Sequence, residues 1–549
     1  MKLSLYNPKR LTFIALVLVI SSAMLGTKLE RAFSSDNSYE ELQKYSEVLN
    51  LVQKNYVDKV NLGDLNVAAI NGLLAKLDPH SVYMSPVSVK QSAEDFHGSF
   101  EGIGVRFQMA HDSILIEEVI VGGPSEAVGL NTGDKIFSID GKRTSGYTQD
   151  SVIKHLRGPK GTKVNVMIAR PGTPASESGG GSKPLSFEIT RDVIPLNSVL
   201  AHFMVDANTG YIYLSHFIET SHSEMVKALE ELKGLGMKRL ILDLRGNPGG
   251  YLEQAVQIVD EFVGGNKTIV YTKGRVAGAD DVDISHPGQQ YEQTPLVVLV
   301  NSSSASASEI TSGAFQDLDR APIVGATTFG KGLVQRQYAL NDGSSVRLTV
   351  ARYYTPSGRS IQRPYDGGKY KKAIENDEAD EEDNFSHTKD VNANDTTRPK
   401  FKTPSGRTIY GGGGITPDYF VKEDTVTRST IRVFGAAIPF DYTRDLISNR
   451  GAELKKQYTA ETFVNSYKLT DDIIKKFYAT AKEKKIECDM KELEADKTWI
   501  LNKLRADLGG LLFGDNVRYK IYLETDKQFN KAYSIVIMDE AAKMAQLSK

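Results

Sequence analysis

The 549-residue chain contains a single cysteine, Cys488. One thiol excludes internal disulfides and any cysteine-based metal cluster. The sequence also lacks an H-E-x-x-H segment or any other paired-histidine motif, so we predict no metal ion and no other cofactor. Its formal net charge is only −2, and it has no basic stripe that would neutralise phosphates. Nucleic acid is therefore not expected as a main partner.

The amino terminus is predicted to direct export. Lys2, Lys9 and Arg10 precede a mostly apolar segment without charge, residues 11–25. Its length lies between that of a signal-peptide core and that of a membrane-spanning helix. The small residues near its end form only a poor cleavage site, and no cysteine follows for lipid attachment. Within residues 1–28 we therefore favour an uncleaved inner-membrane anchor over a cleaved signal peptide, with the rest exported to the periplasm or cell envelope.

Ser306 and Lys331 are the candidate catalytic pair. Ser306 lies in SSSASASE, residues 302–309, and Lys331 follows 25 residues later in TFGKGLVQ, residues 328–335. A serine hydroxyl becomes a good nucleophile only when a base takes its proton, and a lysine is such a base only when burial keeps its amine neutral. The only histidine between residues 270 and 370 is His286, so the nearby sequence offers no other base. The pattern indicates a Ser/Lys hydrolase.

Local patterning places Ser306 at a strand-to-helix junction. Residues 295–301, PLVVLVN, form an apolar run typical of a buried strand, and residues 307–318 follow a helical pattern. Such a junction exposes a hydroxyl and directs backbone N–H groups towards a reacting carbonyl. The alternative is a capping box of Ser306 and Glu309, in which the serine only satisfies the first helical turn. Lys331 taken alone also fits a solvated surface lysine.

A glycine-rich loop forms the third segment. Residues 239–250, RLILDLRGNPGG, indicate a buried strand that ends in this loop, and an apolar-periodic helix is predicted over 251–262. Glycines at such a position let backbone amides approach a ligand closely, and those amides can form half of an oxyanion hole. By itself the loop is weak evidence for an oxyanion hole, because many α/β proteins use such a loop for tight packing.

Together the three segments resemble, in order and spacing, the carboxy-terminal processing proteases, also called tail-specific proteases, which are Ser/Lys serine peptidases. The resemblance implies that Ser306 is the nucleophile and Lys331 the general base. It also implies that Gln335, four residues further on, orients the lysine. Without the resemblance, Gln335 would be interpreted as a strand residue facing solvent. The implied activity is that of a serine-type endopeptidase that forms an acyl-enzyme.

The resemblance also assigns the oxyanion hole. The amide of Ala307 would act with the amide of Gly249 or Gly250, and the sequence leaves open which glycine donates. Lowering a lysine pKa from about 10.4 to about 7 or 8 costs roughly 4 kcal/mol, so the fold must supply a dry pocket.

A second block, residues 97–192, contains FEGIGVRF at 100–107, ILIEEVI at 114–120, GPSEAVGLNTGDKIFSIDG at 123–141 and DSVIKHLR at 150–157. In these segments it resembles a PDZ domain nearly from end to end. Its binding loop consists of Gly102, Ile103, Gly104 and Val105. In a PDZ domain the backbone amides of this loop take a terminal carboxylate, and the peptide adds as a strand to the sheet edge. The structural alternative is a tight turn without a ligand. A PDZ domain next to a Ser/Lys site implies protein or peptide substrates with free C-termini.

The expected architecture is an α/β multidomain protein. Its length indicates three or four domains, and a hydrophobic content of 40% is ample for their cores. The resemblance implies a crotonase- or ClpP-like protease core with an inserted PDZ domain. The predicted boundaries are 39–96 for the amino-terminal helical part of the protease body, 97–192 for the PDZ domain, 193–425 for the Ser/Lys core and 426–549 for a mostly helical carboxy-terminal domain.

Helical periodicity predicts helices both before the PDZ domain and in the carboxy-terminal region. We predict helices over 39–60 and 65–77, and the resemblance implies that they join the catalytic body and assist homo-oligomer assembly. At the other end we predict helices over 469–484, 491–506 and 530–545, with a polar stretch at 515–524 between them. The resemblance does not reach this end, which leaves dimerisation, docking of an adaptor protein and regulation open as its role.

The segment TPSGRSI at residues 355–361 recurs as TPSGRTI at 403–409. Acidic residues lie between the copies, at 376–383, and this composition predicts disorder. In the family one such segment leads almost directly to a G-I-x-P-D turn, which is found here at 414–418. We therefore predict an insertion at about 363–402; a duplicated binding loop is the alternative.

Two other functions are weighed against a Ser/Lys protease. One is a catalytically silent PDZ scaffold or adaptor protein of the envelope, which is disfavoured because all three catalytic residue types are present. The other is a Ser-His-Asp hydrolase, which is disfavoured because no G-x-S-x-G segment surrounds Ser306.

Overall fold

The computed structural model describes residues 38–110, 113–120, 122–170, 184–366, 369–370 and 398–538. The chain forms two compact units that divide between residues 76 and 77. The predicted export segment at 1–28 and most of the predicted insertion at 363–402 lie outside the described residues. Within the described ranges, every helix is too short or too polar to span a bilayer.

The first unit contains two helices, α1 (Ser38–Asn55) and α2 (Leu62–Leu74). Asn61 caps α2, because its side-chain oxygen accepts the amide of Gly63 at 2.9 Å. These helices confirm the predicted helical segments 39–60 and 65–77, although each helix ends earlier than the pattern indicated.

The second unit starts with β1 (Val82–Met84) and α3 (Pro86–His97), which lead into the predicted PDZ block. Its elements are β2 (Ser99–Gly102), β3 (Val105–Ala110), β4 (Ser113–Val119), α4 (Pro124–Ala127), β5 (Lys135–Ile139), β6 (Lys142–Arg143), α5 (Gln149–Leu156), β7 (Lys163–Ala169), β8 (Leu185–Thr190) and β9 (Asp192–Pro195). An antiparallel sheet runs in the order β3-β4-β5-β7-β8, with β6 on β5. Because β2 pairs with β9, the chain enters and leaves this block side by side, as an inserted domain requires.

The region predicted to be the protease core follows and is called the protease region below. Its elements are β10 (Val199–Met204), β11 (Thr209–Leu214), α6 (Ser221–Gly234), β12 (Arg239–Asp243), α7 (Leu252–Asp260), β13 (Thr268–Gly274), β14 (Asp281–Ile284), β15 (Leu296–Val300), α8 (Ala307–Asp317), β16 (Ile323–Gly325), β17 (Leu333–Ala339), β18 (Ser345–Tyr354), β19 (Tyr365–Asp366), β20 (Lys369–Tyr370), β21 (Lys400–Lys402), β22 (Thr408–Tyr410) and β23 (Tyr419–Phe420). The strand and helix predicted around Ser306 are confirmed as β15 and α8.

A six-stranded sheet forms the centre of this region, in the order β10-β11-β12-β15-β16-β23. All neighbouring strands run parallel except β10 and β11. Parallel sheets are covered on both faces, and accordingly every residue of β15 is buried. Leu242 and Val298 belong to the core under α6, α7 and α8, whereas Ile241 and Leu299 belong to the core on the other face.

The carboxyl ends of β11, β12 and β15 meet at one edge of this sheet, where open α/β folds place their functional loops. The Asn247 side chain donates to the Leu214 carbonyl at 2.9 Å, and the Asn247 carbonyl accepts the amide of Ala305 at 3.0 Å. These bonds hold the glycine-rich loop beside the loop that carries Ser306. A second, antiparallel sheet, in the order β1-β18-β13-β14 with β17 on β18, brings in Lys331 just before β17.

The two TPSGR copies are bound to the end of the same helix. In the first copy Arg359 forms an ion pair with Asp317 at 2.7 Å, and in the second Arg407 pairs with Asp319 at 2.7 Å. The serine amide of each copy donates to the same carboxylate, at 3.0 and 2.7 Å. Because α8 ends at Asp317, the chain on either side of the predicted insertion is fastened to the helix that starts after Ser306. Both copies therefore act as structural clamps.

The carboxy-terminal region is helical, as predicted. It contains α9 (Arg428–Gly435), α10 (Ile438–Gln457), α11 (Ala460–Ser466), α12 (Ile473–Glu483), α13 (Met490–Ala495), α14 (Lys497–Phe513), α15 (Asp515–Leu523) and α16 (Lys527–Ile537). The helix predicted over 491–506 is interrupted at Asp496. The polar stretch predicted at 515–524 is a helix instead, because Val517, Ile521 and Leu523 recur at helical spacing and are buried.

The last helix, α16, belongs to the core of the protease region. Phe529, Ala532, Ile535 and Val536 pack against the face of the central sheet that α6, α7 and α8 leave uncovered. This helix therefore completes the two-sided covering that a parallel sheet needs.

Candidate active site

Ser306 occupies a strained position immediately before α8. Its backbone has φ 52° and ψ −113°, a conformation that non-glycine residues rarely adopt and that clusters at functional sites. The amide of Ser306 donates to Glu309 Oε2 at 2.9 Å, which is one half of the capping box considered from the sequence. The strain favours a catalytic role over a purely capping one, because an ordinary N-cap residue is extended.

Glu309 connects the Ser306 and Lys331 loops. Besides Ser306, its carboxylate accepts the Lys331 amide at 2.8 Å, the Gly330 amide at 2.7 Å and the Thr328 hydroxyl at 2.5 Å. Burial raises the pKa of Glu309, while these hydrogen bonds oppose the shift. Local sequence patterns indicate only a capping role for Glu309, and its contacts with the lysine loop depend on the tertiary fold.

Tyr353 bridges the same two residues on their carbonyl side. Its hydroxyl lies 3.1 Å from the Ser306 carbonyl oxygen and 2.5 Å from that of Lys331. Burial, together with the negative charge of Glu309, raises the pKa of Tyr353, so the phenol stays protonated and can donate. No motif in the sequence pointed to Tyr353.

Lys331 and Ser306 line one cleft of about 1210 Å³, which also includes Gln335, Gly249 and Gly250. Burial lowers the pKa of Lys331, and the positive charge of Arg347 lowers it further. The charges of Glu309 and Asp78 oppose both effects. The net shift lowers the pKa of Lys331, which is the direction that a lysine base beside a serine requires.

Gln335 lies on β17, two residues after its start, and is tied to a distant loop. Its side-chain nitrogen donates to the His80 carbonyl at 2.6 Å, and among the described residues no hydrogen bond joins it to Lys331. The His80 ring is hydrogen-bonded to the Tyr370 hydroxyl. Burial, and secondarily the charge of Lys331, lowers the pKa of His80 to about 4. The fold thus brings to the lysine a histidine that lies far from it in the sequence.

The glycine-rich loop reaches the nucleophile. Gly249 has φ 98°, and a Cβ placed on it would lie 2.7 Å from Ser306 Cβ and 2.9 Å from the Ala307 nitrogen. Its own N–H donates to Asn247 Oδ1 at 2.8 Å. The N–H of Gly250 has no acceptor in the described part of the chain, because the bridge to Phe217 uses the Gly249 carbonyl and the Tyr251 amide. Among the described residues, the N–H of Gly250 is therefore available to a ligand, whereas that of Gly249 is already hydrogen-bonded.

Two carbonyls of the PDZ loop, those of Ile103 and Gly104, accept hydrogen bonds from the chain itself. The carbonyl of Ile103 accepts the Ser125 amide at 3.1 Å, and that of Gly104 accepts the Ile120 amide at 3.0 Å. Gly104 has φ 72°, a left-handed conformation that suits glycine. Within the described ranges, no acceptor takes the N–H of Ile103 or Gly104, so both amides are available to an anion.

Comparison with known families gives four matches. Peptidase family S41 matches residues 208–369, and the PDZ domain matches residues 93–169. The activating protease CtpB N-terminal domain matches residues 14–87, and a family of unknown function (DUF8443) matches residues 431–514.

Individual relatives agree with these matches. The chain is 36% identical to the carboxy-terminal-processing protease of Bartonella bacilliformis, over 64% of this chain and 80% of that protein. It is also 36% identical to the carboxy-terminal processing protease CtpA of Bacillus subtilis, over 64% of this chain and 72% of that protein. A solved photosystem II D1 C-terminal processing protease is 28% identical, covers 58% of this chain and 89% of its own, and has a TM-score of 0.32. The identity to the two bacterial proteases, together with the matches to family S41 and to the PDZ domain, shows that the chain belongs to the carboxy-terminal processing protease family and is a serine-type peptidase with a PDZ domain.

Proposed function

We propose that this chain is an endopeptidase that recognises free protein C-termini through its PDZ domain and cleaves with Ser306 as nucleophile and Lys331 as general base. One observation carries the proposal: the amides of both residues donate to the same carboxylate oxygen of Glu309, beside a lysine whose pKa is lowered by burial. Ser306 and Lys331 also line the same cleft.

The reaction is acyl transfer to Ser306. The neutral amine of Lys331 takes the hydroxyl proton, and Ser306 Oγ attacks the peptide carbonyl carbon. The C–N bond then breaks, and the lysine ammonium gives its proton to the leaving amine. Water, activated by the same lysine, hydrolyses the ester and releases Ser306.

The oxyanion of the tetrahedral intermediate would be held by the amides of Gly250 and Ala307. We choose Gly250 over Gly249 because Asn247 already occupies the N–H of Gly249. Backbone donors fixed in advance at this position stabilise the charge that develops on the carbonyl oxygen.

Gln335 is proposed to orient Lys331. Its nitrogen donates to the His80 carbonyl, which fixes the amide plane and leaves its oxygen as an acceptor for the lysine side chain.

The PDZ loop from Gly102 to Val105 is proposed to bind the substrate carboxylate through the amides of Ile103 and Gly104. The substrates would be exported proteins, since residues 1–28 are predicted to place the chain in the cell envelope, anchored in the inner membrane. A homo-oligomer and an adaptor protein are further expected partners.

Substitution of the catalytic pair tests the chemistry. Ser306→Ala and Lys331→Ala should each lower the rate of peptide-bond hydrolysis by about two to four orders of magnitude, because each removes a group needed for proton transfer or attack. The assay is cleavage of an unfolded protein substrate, with circular dichroism to show that the variants fold. Hydrolysis by folded Ser306→Ala at the wild-type rate would exclude the mechanism. The silent-scaffold alternative predicts no hydrolysis by the wild type either.

Peptide amidation tests the PDZ role. Replacing the terminal carboxylate of a substrate by an amide removes a charged acceptor and should weaken binding to full-length Ser306→Ala by about 10- to 100-fold. Equal dissociation constants for the acid and amide forms of one peptide would show that the PDZ loop does not select C-termini.

A further inference from the structure

Arg245 belongs to the glycine-rich loop but is held from the carboxy-terminal region. Its Nε and Nη2 donate to Asp243 at 2.9 and 2.6 Å, within its own segment. Its Nη1 donates to Asp526 Oδ2 at 2.6 Å and to Gln528 Oε1 at 3.1 Å. Only 14% of the Arg245 side chain and 10% of the Asp526 side chain are exposed, so water screens this ion pair weakly.

Beyond Arg245 the loop is held by bonds from the sheet edge and from α8, where the Ser308 hydroxyl donates to the Asn247 carbonyl at 2.9 Å. Gly246 donates its amide to Asn301 at 2.9 Å, and Asn247 binds β11 and the Ser306 loop. These partners belong to the sheet edge or to α8, and none of them belongs to α16. The bonds from Arg245 to Asp526 and Gln528 connect the start of the loop to α16, which covers the other face of the central sheet.

Asp526 is itself fixed in position. Its other carboxylate oxygen, Oδ1, accepts the Phe529 amide at 2.9 Å and so caps α16. The neighbouring Gln528 donates to the Val421 carbonyl at 2.8 Å. Because α16 is packed on the central sheet through Phe529 and its apolar neighbours, the carboxylate presents a rigid partner to Arg245.

Packing alone does not hold the guanidinium. Arg245, Asp526 and Gln528 line a cavity of about 300 Å³ together with Trp499 and Tyr519. Where side chains border empty space, position is set by directed hydrogen bonds more than by close contact. The fork of Arg245 supplies such bonds in two directions, towards β12 and towards α16.

We propose that Asp526 is a positioning residue for catalysis: through Arg245 it sets the glycine-rich loop so that the Gly250 amide meets the oxyanion. The proposal rests on the proposed function, in which Gly250 is an oxyanion donor. It gives the carboxy-terminal helix α16 a role in the chemical step of the reaction.

The test is Asp526→Asn in the full-length protein. Asparagine has the same size and caps helices equally well, so the start of α16 is kept while the negative charge that faces Arg245 is lost. We expect kcat to fall between about 10- and 100-fold, as for a small displacement of a catalytic group. The KM should stay within about twofold, because the loop acts on the transition state and not on bound substrate. The inhibition constant of a peptide boronic acid, which forms a tetrahedral adduct on serine, should rise by a similar factor to the fall in kcat.

Asp424→Asn is the matched control. Asp424 accepts from Lys527 at 2.5 Å in an ion pair whose lysine is mostly exposed, and it makes no bond to Arg245. The same change of charge close by should leave kcat and the inhibition constant as in the wild type. Equal kcat and inhibition constants in Asp526→Asn and Asp424→Asn would overturn the proposal, as would a fall in kcat that is matched by weaker peptide binding to the Ser306→Ala form.

Arg245→Lys keeps the proposal testable if Asp526→Asn does not fold. Lysine keeps the charge beside Asp243 but lacks the fork that reaches Asp526, so the same loss of kcat is expected, and wild-type kcat would overturn the proposal. Failure of the proposed function is distinguishable, because it would appear as hydrolysis by Ser306→Ala, whatever the result at Asp526.

Discussion

Ser306 and Lys331 are joined through their backbones by two buried side chains. Their amides donate to Oε2 of Glu309 at 2.9 and 2.8 Å. The Tyr353 hydroxyl lies 3.1 and 2.5 Å from their carbonyl oxygens. The nucleophile and its proposed base, far apart in sequence, therefore share one rigid frame, and such fixed geometry is a large part of catalytic power.

Glu309→Gln tests this frame. The carboxylate accepts four hydrogen bonds, from three amides and the Thr328 hydroxyl. An amide nitrogen would face donors and leave some of them unpaired, each at a cost of about 1–3 kcal/mol. We expect a lower melting temperature and a kcat reduced by about tenfold or more, measured by calorimetry and substrate cleavage. Glu230→Gln on the exposed face of α6 is the control, and wild-type values for Glu309→Gln would contradict the interpretation.

Arg347→Gln should shift the pH dependence of hydrolysis. Burial and the charge of Arg347 lower the pKa of Lys331, and the base must be neutral. Removal of the cation favours the protonated lysine, so the pKa rises and the rising limb of kcat/KM moves to higher pH. Arg352→Gln, which changes an exposed arginine on the same strand, is the control. A limb that stays in place or moves to lower pH would show that Lys331 is not the titrating base.

Gly249→Ala should slow attack by Ser306. The added Cβ would lie 2.7 Å from Ser306 Cβ and 2.9 Å from the Ala307 nitrogen, closer than carbon atoms can pack without displacement. We expect labelling of Ser306 by a fluorophosphonate to slow by about 100-fold, as for a misplaced catalytic group. Gly246→Ala is a matched control, because Gly246 also has a positive φ but its Cβ would meet only the Tyr213 hydroxyl, at 3.6 Å. Equal labelling of both variants would contradict the close approach.

The two TPSGR clamps should differ in strength. Both Asp317 and Arg359 are fully buried, so Asp317→Asn leaves a buried charge unpaired and should lower the free energy of unfolding by about 3–5 kcal/mol. Asp319→Asn should cost less, because Arg407 is 26% exposed and keeps a second partner in Asp418. Urea unfolding measures both. Asp472→Asn, in an exposed pair, should leave the midpoint unchanged; a larger loss for Asp319→Asn than for Asp317→Asn would contradict the ranking.

Much of the site was predictable because its chemistry lies in short segments. Ser306 and the glycines 249 and 250 were proposed from local patterns, in which an apolar run ends at a small residue and a helix follows, whereas Lys331 was proposed from its spacing to Ser306, the lack of another nearby base and the family resemblance. Those patterns also gave β15 and α8 correctly. Our preference for Gly250 as the proposed oxyanion donor could not be predicted, because it rests on the side chain of Asn247, which accepts the N–H of Gly249.

The sequence by itself determined the order of the segments and the local strands and helices, since hydrophobic period and glycine spacing act over a few residues; its resemblance to a known family implied the Ser/Lys mechanism and the PDZ domain. Only the tertiary structure decided that Glu309 and Tyr353 join the two catalytic loops, and that His80 lies near Lys331. It also decided that Asp526 holds Arg245. These contacts join residues far apart in the chain, and they form only when both faces of the central sheet are covered and its strand ends are brought to one edge.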